Sequence, residues 1–215
     1  MSAQKRSAVP GIAGAALAFL CLVVTSACGP PPPIKYYVLE PATTPASTAA
    51  PQFSITLLVA RVTSSHLYRD DRLVYGKGPV QLGTYEYQRW SESPVDLVQD
   101  SLIGSLRATN QYRSVSAIGS NLRGEYILRA HLIALSEVDG PQLAARFAME
   151  LDLYSPRESA TLWTGSYSHD EPVNGKAVPD VIEALDRNVR AGMQQLTTSL
   201  GQYFASHPPQ PFAAR

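Results

Sequence analysis

The 215-residue chain carries 18 Lys and Arg against 18 Asp and Glu, a formal charge of zero, and no run of basic residues. That balance excludes a nucleic-acid footprint, which needs Lys and Arg gathered on one face. Two cysteines give no disulfide framework once one of them is lost with an export signal. Stability must therefore come from the apolar core of one domain of roughly 170 residues.

The first element is that signal, residues 1–27. Lys5 and Arg6 form its positive start, residues 15–24 its apolar stretch, and the small residues Ser26 and Ala27 precede Cys28. This is the order of a secretory signal peptide, here of the bacterial lipoprotein kind, with Cys28 as the lipid-attachment residue and the first of the mature chain. Thr25 departs from the usual Leu or Val at its place. An uncleaved anchor is the rival reading, but it needs about 20 apolar residues, and Pro10 and Pro30 bracket a shorter run. Cys21 lacks small residues before it and reads as one more apolar position. Removal of Lys5 and Arg6 leaves sixteen basic against eighteen acidic side chains, a net charge of −2. Two or three acyl chains on Cys28, palmitate among them, pass the threshold for stable anchoring, at about 0.8 kcal/mol per buried methylene. Gly29, where an aspartate would retain the protein in the inner membrane, points to the periplasmic face of the outer membrane.

Residues 28–33 form a proline-rich tether that reaches about 20 Å to Ile34 at the polyproline II rise. The single domain is expected over 34–206. It opens with a strand at 34–39, followed by a Pro, Ala, Thr and Ser linker at 41–52 that offers nothing to pack. Strands are predicted at 53–62, 72–75 and 85–90, with a turn at Gly76-Lys77-Gly78-Pro79. Ser93 as N-cap and Pro94 at the first position start a helix that buries Val95, Val98, Leu102 and Leu106 and ends near Asn110. Residues 112–118, 125–136, 143–154 and 160–168 read as a meander. In it Phe147, Met149, Leu151 and Leu153 alternate with Arg146, Glu150 and Asp152, giving one wet and one dry face. Asp180 and Glu183 form a capping pair for a long helix with the stripe Ile182, Leu185, Val189, Met193, Leu196, Leu200 and Tyr203. A disordered tail follows at 207–215. The fold class is α+β, a two-layer sandwich whose mainly antiparallel sheet is covered by two amphipathic helices.

Chemistry is sparse. His66, His131, His169 and His207 lack metal-ligand spacing, so no metal site is expected. Gly165-Ser166-Tyr167 lacks the second glycine of a nucleophile elbow, and Gly76-Lys77-Gly78-Pro79 lacks the spacer and hydroxyl of a phosphate loop. Asp70, Asp71, Glu150 and Asp152 read as solvated carboxylates. No catalytic residue and no cofactor is expected, and the protein is not read as an enzyme. Tyr85, Tyr87 and Trp90 are the one candidate interaction surface, because amphipathic rings favour interfaces; core packing is the competing explanation.

The lipidated cysteine followed by Tyr36-Tyr37-Val38-Leu39-Glu40-Pro41, the segment Tyr87-Gln88-Arg89-Trp90-Ser91-Glu92-Ser93-Pro94 leading into a helix with Leu102 and Leu106, and the closing amphipathic helix resemble the ABC-type transport auxiliary lipoprotein family. Its familiar member is the paraquat-inducible-operon lipoprotein. The resemblance implies a non-enzymatic outer-membrane partner of an ABC transport system whose mammalian-cell-entry (MCE) domain protein conducts lipids between membranes, with homo-oligomeric rings among family members. Two rivals are a periplasmic ligand-binding or hydrolytic lipoprotein, which would need a deep polar pocket, and an accessory lipoprotein of outer-membrane assembly.

Overall fold

The computed structural model describes residues 31–40, 50–77 and 80–209, so the expected export signal, Cys28, most of the expected linker and the tail from 210 lie outside the described residues. The chain divides into Met1–Pro33 and Ile34–Arg215, and the second unit holds every element below. In chain order these are β1 (Lys35–Tyr37), β2 (Phe53–Val59), β3 (Thr63–Ser64), a 3-10 turn (His66–Tyr68), β4 (Arg72–Lys77), β5 (Gln81–Trp90), α1 (Pro94–Ala108), β6 (Tyr112–Ala117), β7 (Tyr126–Asp139), β8 (Ala144–Ser155), β9 (Ala160–Pro172) and α2 (Val178–Ser206).

The spine of the sheet is β7. One of its edges carries β8 and then β9, antiparallel throughout. The other edge is shared: β2 pairs with its beginning, β3 with its middle and β4 with its end, all parallel. From β2 the sheet continues to β6 in parallel; from β4 it continues to β5 antiparallel and on to β1 in parallel. The sheet is thus mixed, with its longest ladders in the antiparallel β7–β8–β9 meander. The expected meander is corrected at its start, because β6 does not hand over directly to β7. Instead β2 lies between them, and its composition explains the placement. Ile55, Leu57 and Val59 are buried and Thr56 is enclosed as well, the near-continuous burial of a strand with neighbours on both edges.

Both helices lie on one face. The buried side of α1 presents Val95, Val98, Leu102, Ile103 and Leu106, and Ser93 caps it by accepting the Asp96 N–H. Asn110, at φ 52°, turns the chain out of the helix. The buried stripe of α2 runs from Val181 and Ile182 through Leu185, Val189, Met193, Leu196 and Leu200 to Phe204. Tyr203, expected in that stripe, is half-buried, and Phe204 takes its place. Phe204 is ringed by Phe53, Tyr112, Tyr126 and Tyr203 at centroid distances of 5.6, 5.8, 5.3 and 5.7 Å.

This second helix starts earlier than the Asp180–Glu183 capping pair predicts. Ala177 is the N-cap and has no side-chain acceptor, so Asp180 in the first turn reaches back to accept the Ala177 N–H at 2.9 Å, half of a capping box. At the other end His207 is held rather than frayed: its N–H meets the Tyr203 carbonyl at 2.9 Å and its ring stacks on Tyr203 at 4.6 Å.

Candidate functional site

The hairpin β4–β5 carries the aromatic candidates. Tyr75 and Tyr85 meet edge to face at 5.0 Å, and the Tyr85 hydroxyl donates to Glu137 Oε2 on β7 at 2.8 Å. Burial, and then the Glu137 carboxylate, push the Tyr85 hydroxyl far above its ordinary range, so it stays a neutral donor. Gly83 sits under the Tyr75 ring, where a Cβ would lie 2.7 Å from Cζ and Oη. Around this pair an open cleft of about 420 Å³ is lined by Tyr75, Thr84, Tyr85, Glu86, Glu137 and Asp139. Tyr87 lies further along β5, its hydroxyl held by Glu86, which raises its pKa.

Trp90 does not join them. At 1 % exposure it belongs to the core, which removes it from any exposed aromatic face. Its backbone explains why it stays there: the Trp90 N–H donates to the Asp71 carbonyl at 2.6 Å, the Ser91 N–H to the Tyr37 carbonyl at 2.7 Å, and Arg89 Nη1 to Asp71 Oδ1 at 2.8 Å. The end of β5 is thereby clamped between β1 and the chain after the 3-10 turn. An odd spacing of three from Tyr87 already puts the indole on the opposite strand face.

A polar cleft that the sequence reading did not single out lies at the far end of α2. Glu125, Tyr126, Ser155, Arg157, Glu158, Leu162, Tyr203 and His207 line a space of about 420 Å³. Its floor is a buried network: Glu125 Oε2 accepts the Thr56 N–H at 2.6 Å, and Arg113 Nη2 donates to Glu125 Oε1 at 2.9 Å. These partners tie β2 and β6 to the start of β7, a structural task for the carboxylate. No local sequence pattern marks Glu125, because its partners come from two other strands.

The histidines stay apart. His131 bonds Thr63 at 3.0 Å, His169 lies 3.6 Å from Glu171, and His207 stacks on Tyr203. Among the described residues no three His, Cys, Asp or Glu side chains are placed to hold a metal ion, and no helix is long and apolar enough to cross a membrane. Across the sheet from α2, β8 and β9 present polar side chains, with Arg146 gripping Asp170 through two hydrogen bonds of 2.7 and 2.6 Å. Cys28, the predicted lipid attachment, lies outside the described residues.

Comparison with known proteins gives this arrangement a family. The model for "ABC-type transport auxiliary lipoprotein component" matches residues 37–198. Among solved structures, protein XCC0632 from Xanthomonas campestris, of family DUF330, superposes with a TM-score of 0.72 at 18% identity, covering 80% of this chain and 98% of that one. An uncharacterized protein follows at 0.61 and 12%, with the same two coverages. Hypothetical protein CT253 from Chlamydia trachomatis gives 0.51 at 5%, covering 71% and 99%. These likenesses establish the fold, and no curated protein matches the chain. The family match spans the chain from the second residue of the Tyr36-Tyr37 pair to the last turns of α2, and on it the chain belongs to the ABC-type transport auxiliary lipoproteins, membrane-associated components of ABC transport systems.

Proposed function

We propose that the chain is an outer-membrane-anchored periplasmic lipoprotein that serves an ABC transport system of the MCE type, moving lipid between membranes, and that it works by docking rather than by catalysis. The family match over residues 37–198 carries this reading. Anchoring comes from acylated Cys28, with its short proline tether holding the domain near the leaflet. Two carboxylates of the described clefts support docking over turnover, since they are engaged in holding strands together, Glu125 by Thr56 and Arg113 and Glu137 by Tyr85. Homo-oligomer formation fits the same reading, because β1, β6 and β9 each have one strand neighbour among the described residues.

The test is co-purification from membrane extracts. Full-length acylated protein should retain the MCE-domain protein of its own organism, and a Cys28→Ala variant should lose both outer-membrane fractionation and that complex. Retention of no MCE protein by correctly acylated protein would overturn the docking assignment.

A further inference from the structure

The edge strand β1 leaves an apolar row in water. Alternation along the strand sends Tyr37 and Leu39 one way and Ile34, Tyr36 and Val38 the other. Leu39 is buried and Tyr37 donates to Gln88 Oε1 at 2.8 Å, whereas Ile34, Tyr36 and Val38 are 45%, 63% and 61% exposed. Among the described residues β1 has a single strand neighbour, β5. Edges of this kind are ordinarily blunted by charge, proline or a bulge, and contiguous exposed apolar side chains mark contact with a membrane or a protein.

Chain length decides between those two. Five residues separate Cys28 from Ile34, and four of them are proline; residues 31–33 are exposed and irregular. At about 3.1 Å per residue the row begins within about 20 Å of the acylated cysteine. The first exposed apolar side chain of the domain is therefore also the one closest along the chain to the acylated cysteine. Its chemistry suits that place, since a tyrosine between two aliphatic residues combines a ring and hydroxyl that favour the membrane–water boundary.

We propose that Ile34, Tyr36 and Val38 rest on the same leaflet that takes the Cys28 acyl chains, making β1 a second membrane contact that fixes the orientation of the domain. The inference rests on the anchoring reading above. It is tested with full-length acylated protein in vesicles of phosphatidylethanolamine and phosphatidylglycerol. Cys21 leaves with the signal and Cys28 is acylated, so a Val38→Cys substitution offers one thiol for a nitroxide label; Ser166→Cys, exposed on β9, serves as the aqueous control. The label at position 38 should favour oxygen over a water-soluble nickel complex as collision partner, at a depth of about 5–10 Å, while the label at 166 favours nickel. Vesicle-bound protein whose label at 38 is as open to nickel as that at 166 would overturn the proposal. So would strong dipolar broadening between labels at 38 without oxygen preference, which would put a second copy on the row. Failure of the anchoring reading looks different: the protein would not float with the vesicles, and unsubstituted chain would take label at Cys28.

Discussion

Asn188 sits inside the helix–sheet interface with every hydrogen-bonding group engaged. Its Nδ2 donates to the Ala145 carbonyl at 2.8 Å and the His169 carbonyl at 2.9 Å, and its Oδ1 accepts the Tyr167 hydroxyl at 2.7 Å. A buried amide is tolerated on those terms, because complete pairing offsets the cost of leaving water. Glu125 follows the same rule with a charge. Burial alone would push its carboxyl up, but the Thr56 N–H, its own N–H and Arg113 together hold it below the ordinary 4.5. A folded-state pKa below the unfolded one means that the stabilisation is complete above about pH 4.5 and drains away as pH falls through the folded value. Glu125→Gln keeps an acceptor for Thr56 and loses the charge partner of Arg113, whose own side chain is half exposed. The variant should be less stable at pH 7 by about 1–2 kcal/mol. In urea unfolding series the gap to the unsubstituted protein should shrink as pH falls from about 5 to 3; a gap that is constant over that range would show that the charge contributes nothing.

At the scale of elements, α2 depends on one residue without a side chain. A Cβ on Gly192 would lie 2.8 Å from Phe147 Cε1 and 2.8 Å from Tyr167 Cδ1, so the helix can approach β8 and β9 this closely only at glycine. Alanine gains about 1 kcal/mol in helix propensity but has to displace two rings of a packed core, at about 1–3 kcal/mol. Gly192→Ala is therefore expected to lower the thermal midpoint despite its better propensity; a raised midpoint would mean that the rings yield freely. Elements defined by one period were legible in the sequence. The cap and apolar face of α1, the dry face of β8 and most of the α2 stripe follow from local spacing alone. What the sequence could not order was pairing across distance: nothing local tells β2 to insert between β6 and β7. Alternation also fails where a strand is irregular. Register slips along β7 between Leu132 and Ala134, and as a result Leu132 and Leu135, three apart, are both buried, as a bulge allows. The candidate surface suffered similarly, since its aromatic residues were evident but the burial of Trp90 depends on contacts with β1 and the chain before β4.

For the molecule as a whole, the first strand and the last helix close on each other. The Glu40 N–H donates to Asp186 Oδ1 at 2.9 Å, Arg190 Nη1 reaches Glu40 Oε2 at 2.7 Å, and the same guanidinium pairs with Asp186. Leu39 is buried beside this strap. Any tension arriving through a tether at residues 28–33 enters at β1, three residues long and held to one neighbour, so the strap rather than the strand must resist it. Asp186→Ala removes the acceptor of the Glu40 N–H and the buried partner of Arg190, yet leaves the β7–β8–β9 ladder untouched. Local opening should then become easier in β1 alone. Each lost 1.4 kcal/mol corresponds to a tenfold change, so a strap contributing about 1–3 kcal/mol predicts amide exchange at Tyr37, whose N–H faces β5, faster by about 5- to 150-fold. Exchange in the centre of β8 should change far less. Equal acceleration in both strands would show that Asp186 supports the whole fold, and unchanged exchange in β1 would show that Leu39 and the β5 pairing suffice to hold the strand.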